Sequence, residues 1–230
     1  MENRGRLLVQ YSAYKFDAAW RRQSDEQRAA DKEAFAAAVE QAADEMTVRS
    51  YSLIGVRGDV DLLLWTTTNE IDLLQKHTSN ILNAGVGKWA TQPYNFFSMT
   101  KKSQYVDPTE QDAPEGRRLV IKPTGRKFLF VYPFVKTRQW YLKSLEERQQ
   151  LMSSHITVGH KFPTVKLNTA YSFGIDDQEF VVAFETDIPA DFLDLVQALR
   201  ETESSLFTLR DTPILTCVQM SIREALDLVG

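Results

Sequence analysis

Two segments decide the fold, because they repeat one pattern in the two halves of the chain: YSLIGVRGDVDLLLW at residues 51–65 and YSFGIDDQEFVVAF at residues 171–184. Each begins with Tyr-Ser, passes through a glycine and several aspartates, and ends in an apolar run. Glycine followed by aspartate between two apolar runs predicts a tight turn between strands. Each segment therefore predicts a β-hairpin.

The surroundings of the two hairpins also match. The predicted elements around them are, in each half, a strand (7–11 and 128–132), a helix (26–46 and 145–159), a second helix (71–82 and 190–200) and a last strand (96–100 and 214–222). This order is that of the ferredoxin-like unit. We therefore predict an α+β protein of two tandem ferredoxin-like repeats, dimeric α/β barrel-like, each with an antiparallel sheet and helices on one face. Chance similarity between two amphipathic hairpins is the alternative.

The segment at residues 105–125 separates the two halves. It contains three prolines, two glycines and many charges, which predicts a loop. The predicted division is an N-terminal half at 1–104, a linker at 105–125 and a C-terminal half at 126–230.

The composition is that of a folded soluble protein, with 43% hydrophobic residues and a formal net charge of −4. This charge gives no support for nucleic-acid binding. A single cysteine, Cys217, excludes an intramolecular disulfide framework. No apolar run approaches the length of a signal peptide or of a membrane span, so we expect a cytoplasmic protein.

A histidine stands on the apolar side of the helix predicted at 145–159. Ser144 and Glu147 form the pattern of a capping box, which fixes the start of this helix. Leu151, His155 and Gly159 recur at a spacing of four and share the face that looks inward. His155 is then either a core histidine bonded to a backbone carbonyl or a metal ligand.

The histidine count limits the metal site. Only His77 and His160 accompany His155, and a zinc site needs three or four ligands. Haem needs only one protein ligand, a proximal histidine. A haem site is therefore compatible with the sequence, whereas a zinc site has little support.

Several motifs resemble the chlorite dismutase-like proteins. The matching stretches are YPFVK (132–136), WY (140–141), LEER (145–148), LM (151–152), GIDD (174–177) and FFSM (96–99), together with His155. The resemblance implies a duplicated ferredoxin-like chain that forms homopentamers and binds haem in its C-terminal half. It also implies that His155 is the proximal iron ligand.

Two activities compete within this family. Chlorite dismutases use a distal arginine, and the matching position here is Leu167, which cannot hold a charged oxyanion. Coproheme decarboxylases use hydrogen peroxide to convert two propionates of iron coproporphyrin III to vinyl groups. The resemblance places their radical-forming tyrosine on Tyr132, and their nearby lysine on Lys136.

The decarboxylase resemblance also implies cationic anchors for the propionates, because arginine holds a carboxylate with two hydrogen bonds. The matching positions are Arg118 and Arg200, and Lys122 is a further candidate. Glu203 could accept a hydrogen bond from the imidazole of His155. The chain departs from the decarboxylases at Leu167, Phe134 and Phe180, where they commonly carry glutamine, methionine and tryptophan.

Three hypotheses follow. The first is a hydrogen peroxide-dependent coproheme decarboxylase of haem biosynthesis, with Tyr132 and Lys136 as catalytic residues and His155 on the iron. The second is a haem-binding, peroxidase-like or haem-transfer protein that lacks this turnover, which Leu167 favours. The third is a ferredoxin-like oligomeric binding module in which His155 belongs to the core.

Overall fold

The computed structural model describes residues 5–105 and 121–230. The chain divides into two compact units. The first contains Met1–Phe97 and Thr216–Gly230, and the second contains Ser98–Leu215. The sequence-based division placed residues 216–230 in the second half. In the structure they belong to the first unit, because they complete its sheet and its helical layer.

The first unit is an antiparallel sheet with helices. Its strands and helices are β1 (Leu8–Phe16), α1 (Asp25–Glu45), β2 (Thr47–Ser52), β3 (Leu62–Thr68), α2 (Ile71–Asn83), β4 (Ala90–Met99), β9 (Leu215–Gln219) and α6 (Ile222–Val229). The strand order is β4-β1-β3-β2-β9. Strand β3 pairs with β1 through Tyr11↔Trp65 and with β2 through Tyr51↔Leu63. The predicted hairpin at residues 51–65 is therefore confirmed.

The core of the first unit lies where α1 and α6 cover the sheet. Phe35 and Val39 of α1 pack with Tyr14 and Trp20 in one buried cluster. Ser24 caps the start of α1 by accepting a hydrogen bond from the backbone N–H of Gln27. This cap fixes the start of the helix, and the buried face follows further along it, from Phe35 onward.

The C-terminal residues differ from the prediction of one strand at 214–222. The strand ends at Gln219, and α6 begins with a capping box formed by Ser221 and Glu224. Arg223 then forms ion pairs with Glu33 and Glu40 of α1. The apolar residues that follow recur at helical spacing: Ile222, Ala225, Leu226 and Val229 are all buried.

The second unit repeats the arrangement. Its elements are β5 (Phe128–Lys136), α3 (Arg138–Leu142), α4 (Leu145–Gly159), β6 (Lys166–Tyr171), β7 (Phe180–Thr186), α5 (Pro189–Arg200) and β8 (Thr208–Arg210). Strand β7 pairs with β6 and β5, and β5 also pairs with β8, all antiparallel. Gly174 in the β6–β7 turn has a positive φ of 73°, as the predicted turn requires.

The strand, helix, strand, strand, helix, strand order therefore occurs twice, and the predicted ferredoxin-like duplication is confirmed. No helix in the described ranges is long and apolar enough to cross a membrane.

One face of the second sheet carries an apolar cluster. Alternate residues of β5, including Phe130 and Tyr132, meet Phe184 of β7 and Phe192 of α5. The rings of Phe130 and Phe192 stack with centroids 3.9 Å apart. Helix α4 differs from α5, because none of its residues is buried.

Replacement of Leu226 tests whether α6 is part of the core of the first unit. Leu226 is 1% exposed, whereas Leu228 on the same helix is 53% exposed. We expect Leu226→Ala to lower the free energy of unfolding by about 2–5 kcal/mol, because a buried cavity is left. The matched Leu228→Ala should stay within about 0.5 kcal/mol of wild type. Urea unfolding followed by circular dichroism measures both, and equal losses would contradict the assignment.

Candidate functional site

Helix α4 carries His155, and its start is fixed as the sequence predicts. The hydroxyl of Ser144 accepts a hydrogen bond from the N–H of Glu147, whose carboxylate in turn accepts one from the N–H of Ser144. The predicted capping box is thus confirmed. The helix packs against α5 and against the 3-10 turn Glu203–Phe207. His155 lies on the side of α4 that meets this turn.

The imidazole of His155 is partly buried and has a hydrogen-bond partner among the described residues. Its Nδ1 lies 3.1 Å from the hydroxyl oxygen of Ser204, which is 1% exposed. Burial lowers the pKa of His155 to about 4, and the positive charge of Lys136 acts in the same direction. The imidazole is therefore neutral at physiological pH, which is the form that binds a metal ion.

Lys136 supports this arrangement from the end of strand β5. Its Nζ donates a hydrogen bond of 2.9 Å to the backbone carbonyl of Ser204 and lies 4.6 Å from the centre of the Trp140 ring. The side chain is 8% exposed, and this burial lowers the pKa of the ammonium to about 8 against the opposing charge of Glu179. The ammonium thus binds the turn that carries Ser204, and the predicted role of Lys136, a charge offered to a propionate beside the tyrosine, stays a prediction.

Tyr132 lies further back along β5, on the same face. Its ring stacks on Phe184 with centroids 6.0 Å apart, and the residue is 8% exposed. Burial and the charge of Asp211 raise the pKa of the phenol, while Arg200 lowers it. The Cα atoms of Tyr132 and Lys136 are about 13 Å apart along an extended strand. The two residues predicted to act side by side are therefore separated by Phe134.

Arg200 ends helix α5 and forms an ion pair with Asp211. Its side chain is half exposed, and its charge acts on Tyr132 as described above. The charge of the guanidinium therefore acts on Tyr132, but Asp211 already engages this group.

The other predicted site residues divide into three cases. Leu167 on β6 pairs with Phe184 and packs against the apolar cluster, on the same face as Tyr132. Lys122 is exposed, and its carbonyl accepts a hydrogen bond from Lys166. Arg118 lies outside the described residues.

Two residues of the site gave no signal in the sequence. Ser204 occupies the position on Nδ1 of His155 for which the neighbouring Glu203 was predicted. The carboxylate of Glu179 accepts hydrogen bonds from the hydroxyl of Tyr141 and the N–H of Lys136. A serine in a turn and a glutamate at a strand end are common, so neither position is marked by its residue type.

These residues fit an iron porphyrin. The ring is flat and apolar, like the cluster on the second sheet, and α4, which carries His155, has no buried residue. One neutral imidazole suffices as the iron ligand. By contrast, the described ranges contain no group of three or more histidine, cysteine, aspartate or glutamate residues that could hold a metal ion.

Comparison with known proteins identifies the family. The family model described as chlorite dismutase matches residues 28–220. The chain belongs to the chlorite dismutase family. Members of the chlorite dismutase family bind haem.

Individual relatives in the chlorite dismutase family agree with this assignment. Coproheme decarboxylase of Mycolicibacterium smegmatis is 26% identical over 173 residues, which cover 75% of this chain and 72% of the relative. A mutant chlorite dismutase from Candidatus Nitrospira defluvii superimposes with a TM-score of 0.87 at 25% identity, covering 96% and 94% of the two chains. The same enzyme in complex with imidazole gives a TM-score of 0.85 at 23% identity, with the same coverage.

Proposed function

We propose that this protein binds iron coproporphyrin III through His155 and converts it to haem b with hydrogen peroxide. The observation that carries the proposal is the neutral imidazole of His155, held at Nδ1 by Ser204 in the same unit as the buried Tyr132. The similarity to a coproheme decarboxylase, spread over three quarters of the chain, supports the substrate.

The bound iron porphyrin, together with peroxide, supplies a strong oxidant. Tyr132 then gives up an electron and its proton, and its oxygen takes a hydrogen atom from the β-carbon of a propionate. The raised pKa of Tyr132 means that the phenol holds its proton at neutral pH, so electron and proton must both leave. For each propionate, one hydrogen peroxide is reduced to two waters while the CH2CH2COOH group becomes a vinyl group and carbon dioxide.

The propionates need cationic partners, because four carboxylates accompany the apolar ring. Arg200 is a candidate because its charge acts on Tyr132, and Arg118 and Lys122 complete the proposed set. Lys136 enters the proposal through its support of Ser204. Its hydrogen bond to the carbonyl of Ser204 argues against direct contact with a propionate.

Leu167 governs the choice of oxidant. Its hydrocarbon side chain on the face of Tyr132 offers no charge or hydrogen bond to an anion. This favours the neutral molecule hydrogen peroxide over chlorite, and chlorite should not be a productive substrate. Leu167 also favours the second candidate function, a haem-binding protein without turnover. The family resemblance further implies a cytoplasmic homopentamer, which light scattering after size-exclusion chromatography would check.

The experiment that tests the function is peroxide titration of the protein loaded with iron coproporphyrin III in the absence of oxygen. Mass spectrometry should show two successive losses of carbon dioxide and the appearance of haem b. If the porphyrin is bound but keeps its mass, or is only bleached, the second candidate function is the better one.

Removal of His155 should abolish iron ligation. We expect His155→Ala to weaken iron porphyrin binding by more than about tenfold, which corresponds to about 1.4 kcal/mol, and to shift the Soret band. His160→Ala is the matched control, because His160 is exposed at the end of the same helix. Spectroscopic titration measures both variants. A wild-type spectrum in His155→Ala would show that another residue binds the iron.

Tyr132→Phe should separate binding from turnover. The ring and its packing on Phe184 are retained, so affinity should stay close to wild type. The first decarboxylation should fail, because phenylalanine has no O–H and is far harder to oxidise. Tyr141→Phe is the control, since its hydroxyl binds Glu179 and we assign it no chemical role. Haem b formed by Tyr132→Phe at the wild-type rate would assign the radical to another residue.

Asp211→Asn should leave the guanidinium of Arg200 more often free to bind a propionate, because it removes the carboxylate that engages it. The pair is half exposed on the side of Arg200, and surface ion pairs are worth at most about 1 kcal/mol, so we expect coproheme affinity to rise by up to about fivefold. Glu201→Gln removes the same charge next to Arg200 in sequence and is the control. Affinities that change equally in both variants would show a general charge effect and would argue against Arg200 as an anchor.

A further inference from the structure

The turn Glu203–Phe207 holds Ser204 firmly against His155. The carbonyl of Ser204 accepts the hydrogen bond from Lys136, and the N–H of Thr137 donates to the carbonyl of Phe207 at 2.9 Å. The ring of Phe207 also packs on Trp140, with centroids 5.6 Å apart. Strand β5 and helix α3 thus fix both ends of the turn.

Three hydroxyl and imidazole contacts form a chain in this region. The hydroxyl of Thr202 donates to the carbonyl of Leu199 at 2.7 Å, since a carbonyl oxygen can only accept. The hydroxyl oxygens of Thr202 and Ser204 lie 3.0 Å apart. The hydroxyl of Ser204 in turn lies 3.1 Å from Nδ1 of His155.

The count of protons along this chain determines the direction of each bond. A hydroxyl has one proton to donate. Thr202 gives its proton to Leu199, so Ser204 must be the donor in the bond between the two hydroxyls. The proton of Ser204 is then used, and its oxygen must accept from Nδ1–H of His155.

We propose that Thr202 and Ser204 fix the Nδ1–H tautomer of His155 and thereby leave the lone pair of Nε2 free to bind an iron. Thr202 acts through Ser204, so both are positioning residues. The inference rests on the proposed function only for the identity of the metal. The tautomer itself is a property of the protein that can be observed without porphyrin.

The partner of Nδ1 also affects the strength of the ligand. A carboxylate acceptor makes an imidazole a stronger electron donor to a metal than a neutral hydroxyl does. With Ser204 as acceptor and the ammonium of Lys136 nearby, His155 is a comparatively weak donor. The structure therefore assigns to this iron site a higher reduction potential than a carboxylate at position 204 would give.

The direct test is the tautomer of His155 in the porphyrin-free protein, read from two-bond 1H–15N correlations of histidine-labelled protein. The wild type should show Nδ1–H. Thr202→Val and Ser204→Ala should both gain the Nε2–H form, because in the first Ser204 recovers a proton to donate and in the second the acceptor is gone. Thr202→Ser should restore the wild-type spectrum.

A matched control is Thr157→Val, since Thr157 is an exposed threonine of α4 whose hydroxyl also donates to a backbone carbonyl, that of Ser153. It should keep the wild-type tautomer. An Nε2–H tautomer in the wild type, or an unchanged tautomer in both Thr202→Val and Ser204→Ala, would overturn the proposal.

A second measurement uses the loaded protein. Ser204→Ala should weaken iron porphyrin binding by about 10–100-fold, as other partners of metal-bound histidines do. Ser204→Asp should raise the iron–imidazole stretching frequency in resonance Raman spectra and lower the reduction potential. Unchanged values in Ser204→Asp would contradict the assigned donor strength. A wild type with the Nδ1–H tautomer that binds no porphyrin would instead refute the proposed function and leave the positioning role intact.

Discussion

The hydrogen bond between Ser204 and His155 is the interaction on which the candidate site depends. It joins helix α4, which has no buried residue of its own, to the turn after α5. Lys136, at the end of β5, donates a hydrogen bond to the backbone of this turn. Burial of its ammonium is unfavourable and lowers its pKa to about 8. A buried cation is tolerated here because it is bonded to a carbonyl and lies over the ring of Trp140.

The consequences for chemistry follow from the two layers of the second unit. The helical layer carries a neutral imidazole, while the sheet carries an apolar cluster that includes the phenol of Tyr132. At the end of α5, Arg200 is already paired with Asp211, so a substrate carboxylate would compete for an engaged cation. A flat apolar ring with acidic substituents is the ligand class that suits such a surface, and the haem-binding chlorite dismutase family supplies the precedent.

Much of this arrangement could be read from the sequence, because it is encoded locally. The hairpin repeats, the capping box of α4 and the spacing around His155 are patterns within a few residues of one another. The helix at Ile222–Val229 also follows such a pattern, but an adjacent apolar strand obscured it. The contact of Ser204 with His155 joins residues 49 positions apart, and a serine has no feature that marks it as a partner. The direction of the Lys136 side chain depended on the course of the turn Glu203–Phe207, which no local pattern determines.

In the proposed function, His155 presents Nε2 to the iron of a porphyrin within the second unit. A crystal structure of the protein with iron coproporphyrin III tests this most directly. We expect a bond between the iron and Nε2 of His155, with Ser204 still on Nδ1 and a propionate facing the hydroxyl of Tyr132. Iron ligated by any other residue, or a porphyrin bound away from α4, would contradict it.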